Sequence, residues 1–187
     1  MNIRKAVSAD APEIATVHIK SWQTTYKDII PENYLSSLSK ENKKRSWEDR
    51  LSLKREKIFT YVACNDKGRI VGFSLGSLEQ QMPIGMRFRE HLYKGELRAI
   101  YILKHYQRKG IGTNLAFRMM KHLLEHNIQG MITWVLKDNS SSNFYKSLYG
   151  KFIGDGLIEI GGVEYIKYAY GWNDLFKTLK KVENKLK

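Results

Sequence analysis

A run with strand character, Glu96 to Leu103, leads directly into Gln107-Arg108-Lys109-Gly110-Ile111-Gly112, and a segment with helical spacing follows from Thr113 to Asn127. The glycines therefore fall at a strand-to-helix junction. Gly110 and Gly112 carry no Cβ, so several backbone N–H groups can turn toward one point at the positive end of a helix dipole. Such a point binds phosphate. Arg108 and Lys109 add two cations suited to a pyrophosphate. A Rossmann fingerprint needs a third glycine where Leu115 stands, and no G-x-x-x-x-G-K-[ST] sequence is present, so neither of those phosphate loops fits.

The pattern Q/R-x-x-G-x-G/A behind a strand resembles the acetyl-CoA signature of the GNAT superfamily of N-acetyltransferases. Glu96-Leu97-Arg98-Ala99-Ile100-Tyr101-Ile102-Leu103 is similar to that family's fourth strand, and Asp138-Asn139-Ser140-Ser141-Ser142-Asn143-Phe144-Tyr145 to its second motif. Leu148-Tyr149-Gly150-Lys151-Phe152 closes that motif where Leu-Gly-Phe is commoner. The resemblance covers about residues 1 to 173, leaving 174 to 187 as a basic amphipathic helix beyond the usual end. It implies an α/β fold with a mixed, mostly antiparallel central sheet, splayed central strands and flanking helices.

Composition sets the remaining bounds. A chain of 187 residues with 42% hydrophobic content has the material for one well-buried domain. The single cysteine, Cys64, excludes an internal disulfide framework and a Cys-based zinc site; it closes an apolar run and reads as core. With no long apolar run and no signal-peptide core, the expected location is the cytoplasm, with no membrane partner. The formal charge of +13 raises the question of nucleic acid. Yet Lys40 to Lys57 mixes eight Lys/Arg with Glu41, Glu48, Asp49 and Glu56, which reads as a solvated helix with i,i+4 pairs. The aromatic residues gather in apolar stripes, which argues against a nucleic-acid module using Arg108, Lys109 and the lysine tail.

In chain order, residues 1 to 7 alternate as a first strand, and Asp10-Ala11-Pro12-Glu13 has the form of a capping box. The helix behind it carries Ile14, Val17, His18, Trp22 and Tyr26 on one stripe. Short and charged helices are expected at Glu32 to Leu38 and Lys40 to Leu53. Ile58 to Cys64 and Arg69 to Leu78 form an antiparallel pair around Asn65-Asp66-Lys67-Gly68. Gly72 and Gly76, inside the second strand, mark either a bulge or a close backbone approach. Gln80 to Gly95 is a long loop, Gly130 is expected to end the helical unit, and a strand runs from Met131 to Leu136. A short helix follows from Ser140 to Leu148, capped by Asp138 or Asn139. Ile153 to Ile160 and Val163 to Tyr170 make a hairpin around Gly161-Gly162, and a lysine-rich helix ends the chain. That hairpin and helix offer a surface for a homodimer.

Acetyl transfer from a thioester to an amine needs a neutral amine, a stabilised oxyanion and a proton for the leaving thiolate, and no protein nucleophile. By resemblance, Tyr145 is the general acid and Glu96 the general base, with pairing to Arg98 or binding of a cationic substrate as alternatives for Glu96. Gln107, Arg108, Lys109, Gly110, Ile111, Gly112 and Thr113 would hold the pyrophosphate of acetyl-CoA. Tyr101, Ile102 and Leu103 would bond the pantetheine arm, and Asn139 would bond it or cap its helix. Trp22, Gln23, Tyr26 and Tyr34 would meet a primary amine, small-molecule or peptide, and no metal is required. A CoA-binding sensor without turnover would share every one of these features except the chemistry.

Overall fold

The computed structural model describes residues 1–52, 57–80 and 92–186, without the side chain of residue 186. Leu53 and most of the expected Gln80 to Gly95 loop lie outside the described residues. Seven strands, β1 (Asn2–Lys5), β2 (Ile58–Cys64), β3 (Ile70–Ser77), β4 (Gly95–Ile102), β5 (Met131–Leu136), β6 (Lys151–Ile160) and β7 (Val163–Trp172), form one sheet in the order β1-β2-β3-β4-β5-β7-β6. The helices are α1 (Ala11–Thr25), α2 (Glu32–Ser36), α3 (Lys40–Ser52), α4 (Ile111–Glu125), α5 (Ser142–Ser147) and α6 (Leu175–Leu186). The sheet is mostly antiparallel, with β4 and β5 parallel. Two compact units divide the chain, Met1–Leu75 with Ala99–Ala116 and Gly76–Arg98 with Phe117–Lys187.

In the first unit the α1 stripe buries Ile14 and Val17 with Trp47, Val62, Cys64, Ile70 and Phe73. Each of these side chains leaves water almost completely, a gain of roughly 1.5–3 kcal/mol per large apolar residue. The expected capping box with Asp10 as its first residue does not form; Asp10 instead caps the turn before it. Asp10 takes both guanidinium nitrogens of Arg4 at 2.6 and 2.8 Å and the Val7 N–H at 2.8 Å, while Glu13 accepts the Ile70 N–H at 2.8 Å. The Asp10 carboxylate thus serves a local amide and a charged partner at once. Gly68 has φ +74°, as its turn requires. A Cβ on Gly72 would lie 3.0 Å from Ile102 Cγ1 and from the Tyr101 carbonyl oxygen, so that glycine marks a close approach. The surface of α3 carries the expected pairs, Lys44 with Glu48 and Arg45 with Glu41.

His18 accepts the Trp47 indole N–H at 3.2 Å and stacks on Tyr101 at 5.2 Å. Burial, reinforced by Lys43 and Arg50, holds its pKa down at about 3. In the unfolded chain a histidine titrates near 6.5. Above that pH both states are neutral there; below it the unfolded state binds the extra proton, so stability falls as the pH falls toward 3, by up to about 1.4 kcal/mol per pH unit. Urea titrations at pH 7.5 and 4.5 are expected to show the loss, and His18→Gln to recover about 2 kcal/mol of it. An unchanged slope in that variant would remove His18 as the cause.

In the second unit, α4 buries Met119, Met120 and Leu123 completely. Its end is set by Asn127, at φ +59°, with the Ile128 N–H returning to the Leu123 carbonyl. This is the left-handed termination of a helix, which asparagine tolerates. Gly130, expected to end the helical unit, answers a different need: a Cβ there would lie 1.6 Å from the Leu92 carbonyl oxygen. The hairpin turn has φ +61° at Gly161 and +79° at Gly162, as a two-residue connection demands. The C-terminal helix is docked, with Leu175 and Val182 fully buried and the Leu175 N–H on the Gln129 carbonyl.

Candidate active site

Helix α4 begins two residues earlier than its spacing suggests, so Gly112 belongs to its first turn. Its first bond runs from the Asn114 N–H to the Gly110 carbonyl at 3.0 Å. The amides of Ile111, Gly112 and Thr113 thus have no partner within the helix. Before them the backbone is left-handed at Arg108 (φ +61°) and at Gly110 (φ +75°). The turn at Arg108 was not legible in the sequence, because an arginine gives no sign of that conformation. The Gln107 side chain donates to the Ile102 carbonyl at 2.9 Å, fixing the loop to the end of β4. Arg108 and Lys109 are exposed, and Lys109 lies over the Tyr106 ring at 5.5 Å. A dipole end, amides without a partner in the helix and two cations can accept a polyanion.

At the end of β4 the Leu103 N–H bonds the Val71 carbonyl and the Leu103 carbonyl accepts the Tyr106 N–H. Successive residues of a strand turn their backbone groups to opposite edges, so Tyr101 and Leu103 face β3 and the Ile102 N–H faces away from it. Among these three residues, Ile102 is the one whose N–H turns away from β3. Pairing between β4 and β5 runs over Gly95 to Leu97 and Met131 to Thr133, with the Thr133 hydroxyl donating to the Leu97 carbonyl at 2.8 Å. The two strands extend beyond that register without further pairing to each other.

The aromatic residues of α1 form a connected group in the first unit. Tyr26 is buried, its hydroxyl 3.2 Å from that of Tyr101, and Trp22 meets its ring edge-on at 5.0 Å. The Trp22 indole nitrogen is buried with no hydrogen-bond partner among the described residues. Gln23 is exposed and reaches the Leu35 carbonyl at 3.4 Å, and Tyr34 is half-buried. Here the residues expected to meet an acceptor divide into a packed pair, Trp22 and Tyr26, and a more open pair.

In the second unit Glu96 is only 8% exposed, and its Oε2 lies 3.3 Å from Arg98 Nε. The pairing expected as an alternative role for Glu96 is therefore present. Register places Glu96 beside Ile132, hence on the face of β5 that carries Trp134. Tyr145 stands against the other face: 6% exposed, it stacks on Tyr170 at 6.1 Å and meets Trp172 edge-on at 6.3 Å. Asn139 is buried, and its Oδ1 accepts the Ser141 N–H at 2.9 Å, which settles the turn entering α5. The residue that departs from the commoner motif, Tyr149, adopts φ +66° before Gly150. Lys181 and Lys185 cover its ring at 4.9 and 4.6 Å, a contact that a glycine would not supply.

Residues 19–150 match the model of the Acetyltransferase (GNAT) family. The uncharacterized N-acetyltransferase YuaI of Bacillus subtilis (strain 168) is 37% identical over 182 residues, spanning 96% of this chain and 98% of its own. Among solved structures, the paia N-acetyltransferase of Thermoplasma acidophilum in complex with coenzyme A superposes with a TM-score of 0.65 at 23% identity, over 89% of this chain and 96% of that one. The putative acetyltransferase yncA of Salmonella typhimurium, with acetyl-CoA, gives 0.64 at 17% identity, over 94% of each chain. Likeness at these identities concerns the fold.

Proposed function

This chain belongs to the acetyltransferase (GNAT) family, and from that premise we propose that it moves the acetyl group of acetyl-CoA directly to a primary amine in a ternary complex. The observation that carries this reading is the start of α4: three amides without a partner in the helix, behind left-handed Arg108 and Gly110, with Arg108 and Lys109 beside them. These groups suit a pyrophosphate, and the outward Ile102 N–H suits an amide of the pantetheine arm. Tyr101 and Leu103 hold that strand in place, and Gln107 fixes the loop to it. Asn139 keeps its role in the turn into α5. Trp22, Gln23, Tyr26 and Tyr34 form the acceptor wall.

The chemistry asks little more of the side chains. Glu96 takes a proton from the incoming ammonium, directly or through water, and the freed lone pair attacks the thioester carbonyl carbon. As the carbon–sulfur bond breaks, the Tyr145 hydroxyl gives its proton to the sulfur. The tetrahedral nitrogen gives its second proton to water as the amide forms, the amide and free thiol are released, and solvent returns a proton to Tyr145 and removes one from Glu96. Alignment of the reactants supplies much of the rate, by about 7–11 kcal/mol in well-oriented systems.

Thiol release from acetyl-CoA over a panel of amines tests the proposal: release that depends on an added amine supports it, and acetyl-CoA neither bound nor consumed overturns it. Glu96→Gln is expected to lower kcat about 100-fold at pH 7. The deficit shrinks as the pH rises toward the pKa of the amine, because solvent then supplies the neutral nucleophile. A deficit independent of pH would assign Glu96 to binding.

A further inference from the structure

Within the second unit, the register of β4, β5, β6 and β7 sorts the charged residues by face. Glu96 aligns with Ile132, Trp134 with Ala169, Leu136 with Lys167, and Gly171 with Lys151. Side chains alternate along a strand, so Glu96, Arg98, Trp134, Lys167 and Lys151 share one face. The acidic residues of the hairpin do not: Asp155 is opposite Tyr168 and Glu159 opposite Glu164, and all three fall on the other face. On these strands, then, the face of Glu96 carries three cations and one carboxylate.

The cations nearest the centre are held by distinct contacts. Arg98 is already engaged with Glu96, whereas the Lys167 ammonium lies 4.3 Å from the centre of the Trp134 ring. Burial pushes the Lys167 pKa down, and the nearby charge of Glu96 partly restores it. The Trp134 indole nitrogen is buried and has no acceptor among the described residues. Trp134 and Lys167 are each partly exposed, although the indole nitrogen itself is buried. A surplus cation beside an unused N–H donor is a complement for an anion. A polyamine would meet the opposite arrangement, repelled by Lys167 and offered a carboxylate that Arg98 already shares.

We propose that Lys167 and the Trp134 indole N–H form an anion-binding subsite next to Glu96, so that the acceptor is an amine carrying its own carboxylate or an equivalent anion. The inference rests on the acetyltransferase reading above and narrows its acceptor class. Lys167 and Trp134 then act in specificity, placing the acceptor by its anion while Glu96 addresses its amine.

The test compares amino acids with the amines that lack only the carboxylate, β-alanine with ethylamine and phenylalanine with phenethylamine among them, in the thiol-release assay. Carboxylated acceptors are expected to show kcat/KM at least tenfold higher. Lys167→Met should erase that preference by raising KM about tenfold for them with kcat within twofold, while Lys167→Arg retains it. Calorimetric binding of N-acetyl-β-alanine to the CoA-loaded protein reads the subsite without turnover, and Lys167→Met should weaken it by a similar factor. Equal or better use of the uncarboxylated amines, a preference untouched by Lys167→Met, or no binding of the N-acetyl amino acid together with no turnover of carboxylated amines would overturn the subsite. Turnover of uncharged amines alone would sink this inference and leave the acetyltransferase standing; absence of acetyl-CoA binding would remove both.

Discussion

Gly110→Asp will weaken acetyl-CoA binding at least 100-fold, measured by calorimetric titration, while the protein stays folded. The nearest atom to a Cβ at this position is Asn114 Nδ2 at 3.9 Å, so the added side chain meets no clash. The backbone there has φ +75°, a conformation that Asp and Asn tolerate better than most residues, at roughly 1–2 kcal/mol. Neither effect removes a ligand. What does is charge: a carboxylate placed at the N-terminus of α4 competes for the amides of Ile111, Gly112 and Thr113 and repels the pyrophosphate. Two unit charges 4 Å apart near a protein surface interact by about 4 kcal/mol, enough for a loss of two to three powers of ten. Gly110→Asn separates the two contributions, having nearly the same shape and backbone preference without the charge, and should keep binding within about tenfold. If the Asp variant binds acetyl-CoA as the parent does, the cosubstrate does not use this loop.

Tyr145→Phe will lower kcat by about 100-fold or more and leave KM for acetyl-CoA nearly unchanged, because a positioned general acid is worth some two to four powers of ten in rate. The ring keeps its place in the variant. The ring centres of Phe144, Tyr170 and Trp172 lie 5.4, 6.1 and 6.3 Å from its own, and the Tyr145 carbonyl still receives the Gly150 N–H at 3.0 Å. Loss of the hydroxyl costs stability on the order of 1 kcal/mol. A rate that falls with a melting temperature held within a few degrees therefore identifies a proton donor. A rate that does not change makes Tyr145 a packing residue, and a parent protein that binds acetyl-CoA without any turnover is a sensor.

Among the residues proposed to meet the acceptor, the local pattern accounts for only part of the arrangement. The three- and four-residue spacing of Trp22 and Tyr26 is visible in the sequence and predicts that they share a stripe of α1. That Tyr26 ends beneath Tyr101, hydroxyl to hydroxyl, joins residues 75 positions apart and has no local signal. Asp10 and Glu13 are similar. Their spacing fits a capping box, yet Arg4 and the Ile70 N–H claimed them because charged or strand-end donors arrive from elsewhere in the chain. Asn127 could have been read as the end of α4 from its known tolerance of left-handed backbone; Arg108 could not.

The sequence by itself determined the order of the elements, the glycine loop between β4 and α4, and the Gly161-Gly162 turn, since periodicity and positive φ are properties of a few adjacent residues. Only the tertiary structure decided the partners. Strand register set Trp134 beside Ala169 and Lys167 beside Leu136, and it placed Glu96 and Tyr145 against opposite faces. Shifting any of these strands by one residue would exchange its faces without altering the local pattern. The packing of apolar side chains on both faces chose among those registers, and with them which charges meet.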